Sequence, residues 1–259
     1  KFARHVLKNS KDKMKRHPIL ITGPARSGAT DLCDLLNIDG RLFITNDCWS
    51  FIPEMENNPS IYINLQWTGT IHRMSDLFER HGIPWTDLMP YNIRRSMFND
   101  FLDDRLPESV EYIGDKADKP YIYASRQIME RATPDTKVLI AMRDGRDSII
   151  SEHWGQKAWP YTNEVLEAWI FCAQIILGYF MSKHTSKCLI VKYDETRRNP
   201  SKTVEVISDF LELDRPLCID GHDLQPNKSG WEKRFPDMTK TIEKKYPEFP
   251  GLLEFFGYE

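Results

Sequence analysis

Two stretches carry residue types at spacings suited to holding a phosphate-like anion. The first is Pro18 to Leu36, PILITGPARSGATDLCDLL. An apolar run, Ile19-Leu20-Ile21, leads through Gly23-Pro24-Ala25-Arg26-Ser27-Gly28-Ala29-Thr30 into leucines at helical spacing, which reads as buried strand, tight loop and helix start. Such a loop turns successive backbone N–H groups and the positive end of a helix dipole towards one point. Gly23, Gly28 and Thr30 match the spacing of the nucleotide-binding loop GxxxxGK[ST], but Ala29 stands where lysine is required. Without that lysine, ordinary nucleoside-triphosphate chemistry is disfavoured. The positive charge has moved to Arg26, which suits a reactive group shaped differently from a triphosphate. The second stretch, Arg143-Asp144-Gly145-Arg146-Asp147-Ser148-Ile149-Ile150-Ser151, follows the apolar run KVLIAM. Its arginine leaves a strand end and its last serine lies two helical turns on, so one connection aims both at a single phosphate.

The elements that position these residues follow from periodicity. Leu42 to Thr45 reads as a second strand, Lys137 to Met142 as a third and Cys188 to Lys192 as a fourth, with the second strand expected beside the first. Helices are expected around Tyr121 to Arg131, from a cap at Asn163 through Val165, Trp169, Ile176 and Phe180, and over Val204, Ile207, Phe210 and Leu211. Ile71, Met74 and Phe78 mark another helical face, ended by Gly82 and Pro84, and Ile93, Met97 and Phe101 a further one. Short apolar strands alternating with helices predict an α/β fold, a three-layer α/β/α arrangement around a central parallel sheet. Ligands of such sheets sit at the carboxyl ends of the strands.

Composition bounds the possibilities. The 259 residues are 41% hydrophobic and 28% charged, enough for one large core, and a single domain over 1–259 is expected, with 1–17 a basic leader. A net charge of -3 argues against nucleic acid as a partner and confines any anion site to a local patch. Five cysteines with no short spacing read as reduced, mostly buried thiols. The apolar segment Ala168 to Met181 is too short to span a bilayer comfortably and carries Gln174, so a core helix and a soluble, cytoplasmic protein are expected. No His, Cys or carboxylate set has metal-ligand spacing.

GPARSGAT resembles the 5′-phosphosulfate loop of sulfotransferases that use 3′-phosphoadenosine 5′-phosphosulfate (PAPS), in the PRSGTT form of tyrosylprotein and many carbohydrate enzymes, with Ala29 replacing the first threonine. RDGRDSIIS is similar to the 3′-phosphate motif of that family, whose Arg and Ser stand at the separation of Arg143 and Ser151. GDKADKPYIY resembles the segment that places a lysine near the sulfate, here Lys116. VKYDETRRNPSKTVEVISDFLEL resembles the strand-to-helix segment with a nucleotide-contacting tyrosine, here Tyr193. Asn227 to Trp231 resembles the C-terminal loop over the 3′-phosphate and brings in Ser229. The likeness spans most of Pro18 to Trp231, while Ser50 to Pro107, rich in aromatics, matches no part of the pattern. That region, 50–107, is expected to be an acceptor-binding insertion.

The resemblance implies a P-loop-like fold and sulfuryl transfer from PAPS to a hydroxyl of a carbohydrate, a small molecule or a tyrosyl group, releasing PAP without a metal. It places Arg26, Ser27, Gly28, Ala29 and Thr30 at the 5′ end of the co-substrate and Arg143, Ser151, Tyr193 and Ser229 around its nucleotide. In-line displacement at sulfur requires cations and N–H donors at the departing oxygen, for which Arg26, Lys116 and Thr30 stand ready. It also requires a base for the acceptor hydroxyl. Related enzymes carry a carboxylate or histidine after the second strand, and Asp47 stands there, shorter than the glutamate of tyrosylprotein-type enzymes; His72 and His153 are reserves. Two other readings remain open at this stage. A small-molecule kinase with a degenerate P-loop is opposed by Ala29 and by the lack of an acidic partner for magnesium. A non-catalytic nucleotide-binding protein would have kept the loop and lost the base.

Overall fold

A computed structural model describes residues 16–46, 62–64, 76–83, 92–94, 105–116, 136–151, 163–180, 187–219 and 230–258. Five strands form one parallel sheet: β1 (His17–Thr22), β2 (Leu42–Asn46), β5 (Tyr112–Lys116), β6 (Lys137–Met142) and β7 (Cys188–Lys192), in the order β2-β5-β1-β6-β7. β3 (Tyr62–Asn64) and β4 (Asn92–Arg94) make a separate antiparallel pair in which Ile63 faces Ile93. His17, assigned to the leader from sequence, opens β1, and Arg16 before it donates to the Leu106 carbonyl at 3.0 Å.

Strand alternation divides the core into two layers. Ile19 and Ile21 of β1 and Leu139 and Ala141 of β6 turn to one face, where they meet Leu32 and Leu35 of α1 (Ala29–Leu36) and Val204 and Ile207 of a helix at Pro200–Phe210. Leu20, Val138, Ile140 and Met142 turn to the other face. There they pack on Leu166, Trp169 and Ile170 of a long helix, Asn163–Phe180, and on Ile242 and Leu252 from two C-terminal helices. Among the described residues the helices labelled after α1 are α2 (Gly145–Ile149), α3 (Asn163–Phe180), α4 (Tyr193–Arg198), α5 (Pro200–Phe210), α6 (Trp231–Arg234), α7 (Met238–Lys245) and α8 (Phe249–Phe255), besides the short helical stretch 76–80. Helices on both faces of a parallel sheet give the three-layer arrangement expected.

Three expectations change. Tyr112 to Lys116 is a full strand, which lies between β1 and β2, so the second strand is not the neighbour of the first. The stretch YIGDK carries a glycine and two charges and has little intrinsic strand preference. Packing decides it. A side chain at Gly114 would come within 1.8 Å of the Ile19 carbonyl oxygen, and the buried Asp115 accepts a hydrogen bond from Thr45 Oγ1 at 2.8 Å. Ile93 is a strand residue in β4 rather than part of a helical face; Met97 and Phe101 lie outside the described residues, as do Ile71, Met74 and the helix expected at Tyr121 to Arg131. Asn163 is the first residue of α3, not a residue preceding it. Residues 76–80 are helical and bury Phe78, and Gly82 ends them at φ 69. Cys33, Cys172 and Cys188 are buried free thiols, Cys218 is exposed, and Cys48 lies outside the described residues.

Candidate active site

The loop between β1 and α1 is built by close approaches. A Cβ at Gly23 would stand 2.2 Å from the Ala141 carbonyl oxygen of β6, so only glycine lets the loop lie down on that strand. The Ser27 N–H closes a turn on Pro24 O at 3.1 Å. Gly28 caps α1 in the left-handed conformation, φ 86, with no side-chain bond to the helix. The first-turn N–H groups of α1 thus have no capping side chain and face the loop concavity. Ser27 is 1% exposed and its hydroxyl has no hydrogen-bond partner among the described residues, an acceptor and donor held at the heart of the loop. Arg26 is itself at φ 69, a costly conformation for a residue with a side chain. Its guanidinium reaches Ser151 Oγ, with Nε at 3.1 Å and Nη2 at 2.9 Å.

That contact brings together the two stretches singled out from sequence. Arg143 follows the last residue of β6, and its carbonyl accepts from Trp169 Nε1 at 3.1 Å. The turn into α2 is clamped by residues that the sequence reading passed over. The Asp144 carboxylate caps α2 through the Arg146 N–H at 2.8 Å and receives the Arg146 guanidinium as a fork, Nε at 2.9 Å and Nη2 at 2.7 Å. Arg146 lies 4.0 Å from the Trp231 ring centroid and donates to Thr239 Oγ1 at 3.3 Å, tying the turn to the C-terminal helices. An Asp before Gly at a strand-to-helix junction is a cap signal that could have marked Asp144. Its use of Arg146 has no such signal.

Tyr193, the first residue of α4, sits against both stretches. Its ring occupies the space a Gly28 side chain would need, 2.0 Å from where a Cβ would stand, and the Arg143 guanidinium lies 4.8 Å from the ring centroid. The phenol donates to Asp31 Oδ2 at 3.2 Å. Burial, then the neighbouring Asp31 charge, pushes the phenol above its ordinary pKa, so it keeps its proton as donor. Lys116 is the last residue of β5 and 1% exposed, not a surface lysine; its Cα partners are Ile21 in β1 and Asn46 in β2. Arg26, Ser27, Gly28, Ala29, Thr30, Lys116, Arg143, Ser151 and Tyr193 therefore all occupy the carboxyl-end edge of the sheet. Asp47, Ser229, His72 and His153 lie outside the described residues. Among the described residues no three His, Cys, Asp or Glu side chains come together as a metal site.

The family model described as the sulfotransferase family matches residues 18–216. The chain belongs to the sulfotransferase family. With that membership go PAPS-dependent sulfuryl transfer and PAP as the product; the acceptor is not identified by it. Three solved sulfotransferase structures share the fold. The sulfotransferase domain of the olefin synthase of Synechococcus PCC 7002 is 17% identical with a TM-score of 0.60, covering 96% of this chain and 98% of that one. The sulfotransferase domain of the curacin biosynthetic pathway is 18% identical with a TM-score of 0.56, covering 96% and 99%. A sulfotransferase from Alicyclobacillus acidocaldarius is 15% identical with a TM-score of 0.57, covering 94% and 96%. No curated protein matches the chain in sequence. No helix among the described residues is long and apolar enough to cross a membrane.

Proposed function

We propose that this sulfotransferase esterifies a hydroxyl of an alcohol or phenol, on a carbohydrate, a small molecule or a tyrosyl group, and that the carboxyl-end edge of its sheet is the active site. The observation that carries this reading is the pair of hydrogen bonds from Arg26 to Ser151, which brings the glycine loop and the strand-end turn into contact. The residues there suit a bis-anionic nucleotide. The α1 N-terminus and the Ser27 hydroxyl, which has no hydrogen-bond partner among the described residues, offer donors at the loop, and Arg143 and Ser151 offer a second anion site.

PAPS, when bound, supplies a sulfuryl group on a 5′-phosphate oxygen that leaves with negative charge. The N–H groups of residues 27–30, with the Thr30 hydroxyl, hold that end of the molecule. Arg26 and Lys116 stabilise charge on the departing oxygen, Arg26 from the loop after β1 and Lys116 from the buried end of β5. Arg143 and Ser151 take the 3′-phosphate, Tyr193 backs the nucleotide, and Ser229 contributes from the C-terminal loop. Asp47 accepts the acceptor proton. Residues 50–107 supply the acceptor pocket, within a single domain spanning 1–259.

The test is thermal stabilisation followed by transfer. PAP without magnesium should raise the melting temperature, since a ligand at a hundred times its Kd adds about 2.7 kcal/mol. ATP with magnesium should raise it far less. Labelled PAPS offered with sugars, phenols, steroids and peptides should then label one hydroxyl class. Stabilisation by ATP with magnesium and none by PAP would overturn the assignment of this edge.

A further inference from the structure

Asp31 is the third residue of α1, where a carboxylate is ordinarily explained by the helix dipole alone. Its geometry says more. One oxygen, Oδ2, accepts from the Tyr193 phenol at 3.2 Å and from Arg197 Nη1 at 3.1 Å. Arg197 also lies 5.4 Å from the Tyr193 ring centroid, and the Arg143 guanidinium lies 4.8 Å from it. The same ring rests on Gly28, where a side chain would collide with it. Tyr193 is thus a plate wedged between the cap of α1 and Arg143, pinned at its hydroxyl by Asp31 and flanked by the cation that neutralises Asp31.

We infer that Asp31 is a positioning residue for the 3′-phosphate half of the site: by accepting from Tyr193 and Arg197 together it holds the ring that carries Arg143. The inference rests on the assignment of Arg143 to the 3′-phosphate made above. Charge alone gives the opposite expectation. An anion near a ligand with two phosphates repels it, so deleting a carboxylate with no positioning role tightens binding of PAP. Deleting one that holds Tyr193 in place weakens it. Removing the pin releases the phenol and leaves Arg197 to compete for the ring, so Arg143 loses its fixed direction.

The test is calorimetric titration of the full chain with PAP and with adenosine 5′-monophosphate, which lacks the 3′-phosphate. Asp31→Ala should weaken PAP by about five- to tenfold and leave the monophosphate within about twofold. Tyr193→Phe, which keeps the ring and removes only the donor, should reproduce most of that loss, and the double variant should lose no more than Asp31→Ala alone. Asp31→Asn retains an acceptor for the phenol and should recover most of the affinity. Asp31 is 38% exposed, so these changes leave the core intact. Unchanged or tighter PAP binding by Asp31→Ala, equal loss for both ligands, or additive losses in the double variant would each overturn the inference. Discrimination between PAP and the monophosphate that Arg143→Ala removes and Asp31→Ala keeps would overturn this inference alone. A wild-type protein that does not discriminate would overturn the 3′-phosphate assignment and this inference with it.

Discussion

Arg26 and Ser151, 125 residues apart in sequence, are joined by two hydrogen bonds from one guanidinium to one hydroxyl. Each is a candidate anion ligand, so an anion bound at either group competes with that contact. Ser151→Ala removes one hydrogen bond to the ligand and also frees Arg26 from a competing partner, so the two effects offset. PAP affinity should fall by less than about tenfold. Titration of PAP measures it, and a loss of a hundredfold would show that the contact persists in the complex.

Arg143 is held in a different way. Its backbone is fixed by Trp169 and its guanidinium by the Tyr193 ring, so it is held in place before the ligand arrives. Arg143→Ala should remove a charge-assisted hydrogen bond of about 1.5–3 kcal/mol, roughly ten- to a hundredfold in PAP affinity. Adenosine 5′-monophosphate should lose far less. Equal weakening of the two ligands would make Arg143 a structural residue.

Arg26 and Lys116 should separate turnover from binding. On the proposed assignment both face the departing oxygen, Arg26 from the loop and Lys116 from the end of the neighbouring strand. Arg26→Ala and Lys116→Met should each lower kcat by about a hundred- to a thousandfold while PAP affinity falls much less. The methionine keeps the volume of a side chain that is almost wholly buried. A change confined to KM for PAPS would assign either residue to ground-state binding.

The strand-loop-helix around Gly23 to Thr30 was legible because an apolar run, glycines and leucines at helical spacing all agree over nineteen residues. β5 was not legible, because its fitness as a central strand lies in other segments: the Ile19 carbonyl that forbids a side chain at Gly114, and Thr45, which satisfies Asp115. The site divides the same way. Arg26, Arg143 and Ser151 showed in local spacing, but the pairing of Asp31 with Tyr193 across 162 residues and the clamp of Asp144 by Arg146 against Trp231 depend on contacts that no window contains.

Stability should depend on a buried ion pair far from these residues in role. Arg41 forks onto Asp39, at 2.5 and 3.1 Å, and also reaches Asp214 and the carbonyls of Arg215 and Pro216. Burial raises the Asp39 pKa, but the hydrogen bonds from Arg41 and the Cys218 N–H outweigh it and hold the carboxyl below its ordinary value. A lowered folded-state pKa gives stability that is complete above the unfolded value, near 4, and lost as pH falls through the folded value. Asp39→Asn should cost about 1.5–3 kcal/mol at pH 7 by removing the forked partner of Arg41, which keeps Asp214 at 3.2 Å. Urea unfolding should show that gap constant from pH 7 to about 5 and narrowing below about 4. A gap that does not narrow would mean that Asp39 acts by shape rather than charge.

The proposed base, Asp47, comes directly after β2 in sequence, and the strand order bears on its reach. Asp47 follows Asn46, and Asn46 pairs with Lys116, which in turn pairs with Ile21 of the loop strand. The intervening β5 sets β2 about 10 Å from β1, two strand spacings away, instead of one. A carboxylate one methylene shorter than glutamate then has to meet an acceptor hydroxyl that enters above Lys116, directly or through one water. On the proposed assignment Asp47 and Lys116 would divide the reaction between them: the carboxylate would take the proton from the attacking oxygen while the lysine would balance charge on the departing one. Asp47→Asn keeps the shape and removes proton acceptance, so kcat should fall about a hundred- to ten-thousandfold with the PAP melting shift retained. Because the variant still binds nucleotide, the defect should appear in single-turnover transfer from bound PAPS. Near-normal transfer to a true acceptor would exclude Asp47 and move the role to His72 or His153.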